Sequence, residues 1–318
     1  MKHLKWLVLV ALFLSTSLFS WSQKEKEVNV IIEKGTIYGN LISVENYKEN
    51  PVVIIIPGSG PTDRNGNNPF MQPNTYILLT KELAKNGISS LRYDKLMIGE
   101  SKNDLSEKDL LFEDNVHQVT AWIDYLEKKK FTNIVILGHS EGSLIGMLAA
   151  QERKVSKFIS LCGTGRTIDV VLAEQIAKQS PQYSKEIEKL LEKLKNGEEV
   201  TEFSPELAGL FRTDVQPYVI SWLKYSPKEE IGKLNIPVLI IHGSTDIQVT
   251  TEDAKIQKEG NPKAELKIIE GMNHVLKVAP EDKDENMKTY YDPKLPLHEE
   301  LVPVIIEFIM PFNNALTK

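Results

Sequence analysis

Residues 133–150 read NIVILGHSEGSLIGMLAA: an apolar run, a Gly-x-Ser-x-Gly pentapeptide and a second, helix-like segment. This order predicts a strand, a sharp turn and a helix, with Ser140 at the turn and its hydroxyl held clear of the backbone. Glycines at 138 and 142 fit this arrangement, because side chains there would collide where the strand folds back into the helix. The context makes Ser140 a candidate nucleophile.

Apolar, β-branched runs alternate along the chain with amphipathic segments at 75–85, 114–129 and 251–260. This alternation predicts βαβ units and a mostly parallel α/β sheet flanked by helices. Only a short polar turn separates the first two runs, so an antiparallel hairpin between them at one edge of the sheet is expected. The predicted strands are 36–44, 51–56, 88–93, 133–137, 157–161, 237–241 and 265–269.

One interval, from about residue 164 to 233, contains no strand-like run. Ile187, Leu190, Leu191 and Leu194 recur there at helical spacing amid Lys and Glu. We interpret it as a helical insertion that folds over the site as a cap, because it leaves the sheet beyond the carboxyl end of a strand, where open α/β sheets bind ligands. The alternative is a surface excursion that does not contact substrate.

The composition argues against several classes of function. The chain has 318 residues, 41% hydrophobic and 26% charged, enough for one large α/β domain or two small ones. A net charge of −6 argues against a nucleic-acid partner, since no basic face exists to displace counterions. Cys162 is the single cysteine, which excludes an internal disulfide and favours a buried structural thiol. No metal-binding or nucleotide-binding motif is found, so no metal or cofactor is expected.

The first 22 residues have the pattern of a signal peptide. Two lysines precede an uncharged apolar stretch, and Ser20 and Ser22 suit the −3 and −1 positions of a signal-peptidase site. We predict cleavage before Gln23, a secreted or periplasmic location, and a single mature domain over 23–318 without a stable membrane span. The alternative is an uncleaved membrane anchor, for which the apolar stretch is short.

A serine hydroxyl needs a base at neutral pH, and the base needs a carboxylate to orient it. Asp246 and His274 follow the last two predicted strands, on successive loops. We therefore expect Asp246 and His274 to act with Ser140. The other five histidines lie in less suitable places. His139 lies in the Gly-x-Ser-x-Gly turn, called the elbow below, and His3 lies in the predicted signal peptide, or leader. The remaining three lie at a strand end, in a helix and in the polar C-terminal stretch: His242, His117 and His298.

The negative charge that develops on an attacked carbonyl oxygen needs backbone N–H donors. One is expected from Glu141, immediately after the nucleophile. The second is expected from the loop 57–61, Pro-Gly-Ser-Gly-Pro, and is assigned to Ser59, because the glycines on either side let the backbone approach a substrate closely. The alternative interpretation of such a cluster is an ordinary turn.

From about residue 51 onward the chain resembles the α/β-hydrolase superfamily, which has the chain order Ser, Asp, His. More narrowly, it is similar to bacterial esterases of the serine aminopeptidase and prolyl oligopeptidase-like branches. The motifs that carry this resemblance are GSGPTDRNG at 58–66 and GISSLRYDK at 87–95. Such proteins usually continue Arg-Tyr-Asp-Lys-Arg-Gly, whereas this chain continues LMIGES at 96–101, beside the site. Because this departure lies in a loop beside the site, it bears on substrate preference and not on the three proposed catalytic residues.

The resemblance implies an α/β-hydrolase fold and a serine hydrolase with Ser140 as nucleophile, Asp246 as acid and His274 as base. The expected reaction is cleavage of a small carboxylic ester through an acyl-enzyme. Alternatives are an acyl thioesterase or an aminopeptidase-like amide hydrolase with the same triad, and a catalytically silent ligand-binding protein with this fold. Arg64 is expected to be a structural residue that pairs with Asp63 or Asp94; the alternative is that it binds a substrate carboxylate. No feature of the sequence indicates the oligomeric state.

Overall fold

The computed structural model describes residues 24–310, so the predicted signal peptide at 1–22 lies outside the described residues. Within residues 24–310, no helix is both long enough and apolar enough to cross a membrane. The strands are β1 (Lys24–Ile32), β2 (Gly35–Ser43), β3 (Val52–Ile56), β4 (Ser89–Tyr93), β5 (Ile134–His139), β6 (Lys157–Leu161), β7 (Val238–Gly243) and β8 (Glu265–Ile269). The α-helices are α1 (Thr75–Lys85), α2 (Phe112–Lys128), α3 (Glu141–Glu152), α4 (Ile168–Gln179), α5 (Ser184–Lys195), α6 (Ala208–Phe211), α7 (Gln216–Trp222), α8 (Pro227–Gly232), α9 (Thr251–Gly260), α10 (Lys283–Lys288) and α11 (Leu301–Ile309).

The eight strands form one sheet in the order β1-β2-β4-β3-β5-β6-β7-β8. All pairs from β4 to β8 are parallel, while β2 is antiparallel to both of its neighbours. Strands β3, β5 and β7 are buried at every position, which accounts for their nearly continuous apolar sequences. The predicted α/β architecture, a mostly parallel sheet flanked by helices, is confirmed.

The antiparallel edge of the sheet differs from the prediction. We expect the strand at 36–44 to form a hairpin with 51–56, and this is wrong: β2 pairs with β1 on one side and with β4 on the other. Both edges of β3 are instead occupied by the parallel strands β4 and β5. Strand β1 is not predicted from the sequence, because it begins with Lys-Glu-Lys-Glu, four charged and exposed positions that give no apolar run.

Apolar side chains fill both faces of the sheet. One cluster joins Ile54 and Ile136 of the sheet to Trp122 of α2 and Leu144 of α3. A second cluster joins alternate residues of the same strands to α1 and α11. The central strands are therefore covered on both faces by helices. Because these strands are parallel, their carboxyl ends lie at the same end of the sheet, where the loops that follow them can carry polar groups.

The described chain between β6 and β7 is helical and contains no strand. It comprises helices α4 to α8 and has its own apolar cluster. The leucines and isoleucine expected at helical spacing lie on α5 and are buried in this cluster. Helix α7 packs against α2, where the Ser221 hydroxyl accepts a hydrogen bond from the backbone N–H of Phe112 at 2.8 Å. The helical segment is thus joined directly to the layer beside the sheet.

Candidate active site

Ser140 lies at the turn between β5 and α3, in the predicted strand–turn–helix context. Its φ of 55° and ψ of −121° are strained for a residue with a side chain. The glycines on either side are required by close packing. A Cβ on Gly138 would overlap the carbonyl oxygen of Gly142, and a Cβ on Gly142 would overlap that of Ile56. The partly exposed Ser140 is therefore held by a backbone that admits few substitutions.

The structure brings Asp246 and His274 together, with Nδ1 of His274 2.7 Å from Oδ2 of Asp246. The other carboxylate oxygen, Oδ1, accepts hydrogen bonds from the backbone N–H groups of Gln248 at 2.8 Å and Val249 at 3.0 Å. Burial acts to raise the pKa of Asp246, but His274 and the other nearby donors outweigh it and leave that pKa below its ordinary value. An ionised Asp246 accepts a hydrogen bond from the Nδ1–H group of His274, which keeps the proton on Nδ1 and leaves the lone pair of Nε2 to accept a proton.

His139 connects the turn at Ser140 to the loop of His274. Its Nε2 donates to the backbone carbonyl oxygen of His274 at 2.9 Å, and its Nδ1 accepts from the Tyr76 hydroxyl at 2.8 Å. The centroids of the His139 and His274 rings are 4.8 Å apart. Burial, helped by the nearby His274, lowers the pKa of His139 to about 3, so this ring is neutral. Sequence reasoning places His139 in the elbow but does not find these two contacts.

The loop after β3 lies against Ser140. A Cβ built on Gly58 would lie 3.2 Å from the Cβ of Ser140, and the Gly58 N–H donates to the Tyr76 hydroxyl at 3.0 Å. The next residue, Ser59, is exposed. Glu141 is the first residue of α3, so its N–H has no acceptor inside the helix. The two predicted oxyanion donors thus belong to segments that border the candidate nucleophile.

The side chain of Glu141 is buried behind the turn and carries contacts that the sequence does not reveal. Its Oε1 accepts from the Tyr218 hydroxyl of α7 at 2.7 Å, and its Oε2 lies 3.6 Å from Nζ of Lys95. Lys95 in turn donates to the carbonyl oxygen of Gly58 at 2.7 Å. Burial lowers the pKa of Lys95, and the neighbouring carboxylate of Glu141 opposes that shift.

Arg64 is buried among protein oxygens. Its Nε donates to Oδ2 of Asp94 at 2.8 Å, its Nη1 donates to Oδ1 of Asn40 at 2.6 Å, and its Nη2 forms an ion pair with Glu100. The backbone N–H of Arg64 also donates to Asp94, at 2.7 Å. Of the pairings expected for Arg64, the structure shows the one with Asp94, which ties the loop after β3 to the segment after β4.

Two further buried groups lie beside Asp246. Nε2 of His242 is 3.6 Å from its carboxylate and donates to a backbone carbonyl oxygen at 2.9 Å. The thiol of Cys162 lies within 4.8 Å of ring nitrogens of His139 and His274. Burial raises the pKa of this thiol well above its ordinary value, and both His139 nitrogens are already hydrogen-bonded, so these donors do not fit a metal ion.

No protein-family model matches the chain. Its sequence is similar to that of Esterase EstD from Thermotoga maritima, with 27% identity over 245 residues that cover 71% of this chain and 54% of EstD. The chain therefore spans about half the length of this curated relative.

Solved structures of esterases share the fold. Est1E from Butyrivibrio proteoclasticus, which has also been solved with ferulic acid bound, superposes with a TM-score of 0.57 and 22% identity over 89% of this chain and 98% of its own. The Pyrococcus furiosus esterase Pf2001 gives a TM-score of 0.58 and 16% identity over 95% of both chains. The chain therefore has the α/β-hydrolase fold, and in that fold it is similar to known esterases.

Proposed function

We propose that the protein is a serine hydrolase that cleaves carboxylic esters through an acyl-enzyme on Ser140. The observation that carries the proposal is the 2.7 Å hydrogen bond between His274 and Asp246, on loops beside the strained turn of Ser140. That combination supplies a nucleophile, a base with a free Nε2 and a carboxylate that orients the base. Similarity to EstD supports esters as the substrate class.

In the proposed mechanism, Nε2 of His274 takes the Ser140 proton while Oγ attacks the ester carbonyl carbon. The N–H groups of Ser59 and Glu141 donate to the oxyanion. His274 then gives its proton to the leaving alcohol oxygen as the ester C–O bond breaks, and the acyl group stays on Ser140. Water, deprotonated by His274, attacks the acyl carbon, which releases the acid and restores the hydroxyl. Asp246 stabilises the imidazolium throughout.

Replacement of Ser140 tests the proposal. Ser140→Ala is expected to lower kcat on a p-nitrophenyl acyl ester by about 10⁴-fold or more and to abolish labelling by a fluorophosphonate probe. The control is Ser143→Ala, in the first turn of α3, whose hydroxyl bonds only to Ser160, at 2.7 Å, among residues 24–310. This control should retain labelling. Near wild-type turnover in Ser140→Ala, or no labelling of the wild type, would contradict the proposal, and the latter would favour a ligand-binding protein.

The choice of ester over thioester or amide is tested with matched substrates. p-Nitrophenyl esters, acyl thioesters and aminoacyl amides of the same acyl group share the triad chemistry and differ in the leaving group. We expect the highest kcat/KM for the esters, and the panel includes methyl ferulate because Est1E has been solved with ferulic acid. A higher kcat/KM for the thioester or the amide would contradict the ester assignment.

We also propose that the protein is exported to the periplasm or the exterior. The proposal depends on the apolar leader and the small residues Ser20 and Ser22. N-terminal sequencing of the protein recovered from the periplasmic or culture fraction is expected to begin at Gln23. A mature chain that retains the leader, in a membrane fraction, would support the uncleaved anchor instead.

A further inference from the structure

Both backbone polar groups of Gly58, in the loop after β3, are hydrogen-bonded to side chains. The Gly58 N–H donates to the Tyr76 hydroxyl at 3.0 Å, and the Gly58 carbonyl oxygen accepts from Nζ of Lys95 at 2.7 Å. This carbonyl and the Ser59 N–H belong to one planar trans peptide, so they point in opposite directions. Whatever fixes the carbonyl oxygen therefore also fixes the direction of the Ser59 N–H.

The Lys95 ammonium lies between the two segments that carry the proposed oxyanion donors. The side chains of Lys95 and Glu141 are 8% and 2% exposed, and a charged group so buried is unfavourable unless it is paired and hydrogen-bonded. The partners of the Lys95 ammonium are the carbonyl oxygen of Gly58 and the carboxylate of Glu141. Tyr218 fixes the other oxygen of that carboxylate and itself accepts from Asn115 at 2.8 Å.

We propose that Lys95 is a positioning residue of the oxyanion hole. It donates to the Gly58 carbonyl oxygen, aims the Ser59 N–H at the developing oxyanion, and joins that segment to Glu141, which carries the second donor. A cation on the carbonyl also polarises the peptide and strengthens its N–H as a donor. This inference rests on the proposed serine mechanism. Because the charge on the substrate oxygen develops only in the transition state, loss of Lys95 should act on kcat rather than on KM.

The test is Lys95→Met, which keeps an apolar chain of similar length and removes the donor. We expect kcat for a p-nitrophenyl ester to fall about tenfold to a hundredfold with little change in KM, since one oxyanion donor is misaligned but not removed. Inhibition by an alkyl trifluoromethyl ketone should weaken by the same factor as kcat/KM, because its adduct with Ser140 carries the oxyanion. An unreactive amide of the same acyl group should bind equally to both proteins.

A second variant separates positioning from stability. Lys95→Met leaves Glu141 buried without its cation, which should lower Tm. The double variant Lys95→Met/Glu141→Gln removes that charge and should regain Tm without regaining kcat. Recovery of kcat together with Tm would overturn the inference, because Lys95 would then act only through stability.

The matched control is Lys157→Met. Lys157 also donates to backbone carbonyl oxygens, those of Phe308 and Ile309 at 2.5 and 3.1 Å, but from the start of β6, at the opposite end of the sheet from Ser140. Its kcat should equal that of the wild type. A wild type that is inactive and unlabelled by fluorophosphonate would overturn the proposed function and this inference with it. An active, labelled wild type beside a Lys95→Met variant of full kcat would overturn this inference alone.

Discussion

His139 joins three parts of the site through one imidazole ring. It sits in the elbow beside Ser140, donates to the backbone of His274, and accepts from Tyr76, whose hydroxyl also holds Gly58. With a pKa lowered to about 3, mainly by burial, the ring stays neutral above that pH and these hydrogen bonds persist. His139, a variable position of the Gly-x-Ser-x-Gly motif in sequence, therefore links the turn of Ser140 to the loop of His274.

Replacement of His139 by Phe keeps an aromatic ring and removes both hydrogen bonds. We expect kcat to fall by roughly tenfold and the free energy of unfolding to fall by about 2 kcal/mol, because the Tyr76 hydroxyl and the His274 carbonyl lose buried partners. Ester hydrolysis and urea denaturation measure the two effects. His117→Phe, at an exposed position of α2, is the control and should change neither. A His139→Phe variant as active and stable as the wild type would refute this role.

The depressed pKa of Asp246 predicts a pH-dependent stability. A carboxylate whose pKa is lower in the folded than in the unfolded chain adds stability that is present above its unfolded pKa, near 3.8, and is lost as the pH falls through the folded value. The free energy of unfolding of the wild type should therefore exceed that of Asp246→Asn at pH 6, with the difference shrinking as the pH falls below about 4. Urea denaturation at several pH values measures this, and a difference independent of pH would contradict it.

The substitution Asp246→Asn is also expected to lower kcat. An amide in place of the carboxylate cannot hold the proton on Nδ1 of His274 or stabilise the imidazolium, so kcat should fall by about 10⁴-fold. Fluorophosphonate labelling should slow in parallel, since it depends on the same activated hydroxyl. A variant that keeps more than a tenth of wild-type kcat would show that Asp246 does not orient the base.

Among the elements, strands β2 to β8 could be predicted from sequence, whereas β1 and the pairing of β2 could not. The predicted bounds of β2 to β8 lie within two residues of those found. For β3, β5 and β7 the reason is burial on both faces, which gives a nearly continuous apolar run. Helices α1 and α9 match their predicted spans. Strand β1 carries alternating charges on an exposed edge, and the position of β2 beside β4 is a long-range pairing that no local pattern encodes.

The same distinction holds for the site. Ser140, Asp246 and His274 could be proposed because each follows a recognisable strand, and topology alone collects such loops at one edge of the sheet. The contacts among Lys95, Glu141 and Tyr218 could not, because they join a loop, a helix start and the helical segment between β6 and β7 through side chains far apart in sequence.

Helix α7 provides a test of that helical segment as a cap. Tyr218→Phe removes the hydroxyl that contacts Glu141 and Asn115, and should lower the free energy of unfolding by about 1–3 kcal/mol, since both are left with an unsatisfied buried group. We also expect the KM of Tyr218→Phe to differ from that of the wild type, by an amount that depends on the acyl-chain length of the ester. The matched control is Tyr225→Phe, in the same aromatic cluster around Phe112, whose hydroxyl donates to Glu113 instead. Equal KM values for both variants on every ester would contradict a cap that shapes the substrate site.

For the molecule as a whole, the sheet brings the segments of the proposed catalytic site together at the carboxyl ends of its parallel strands. The loop at Ser59 follows β3, and the turn at Ser140 follows β5. The loops of Asp246 and His274 follow β7 and β8, and all four strands belong to one sheet. The helices on both faces hold these strands in register, and the hydrogen bonds of His139 and Lys95 tie the loops to one another. The buried strands thus form a fixed scaffold, and the loops and turns that follow them carry the residues of the proposed site.

In the proposed mechanism, the hydroxyl of Ser140 takes the acyl group during turnover. The direct measurement is peptide mapping by mass spectrometry of protein acid-quenched while it hydrolyses a p-nitrophenyl ester. We expect an acyl group on Ser140 in the wild type and none on the corresponding peptide of Ser140→Ala. Ester turnover with the acyl group on another side chain, or with none on the protein, would contradict it.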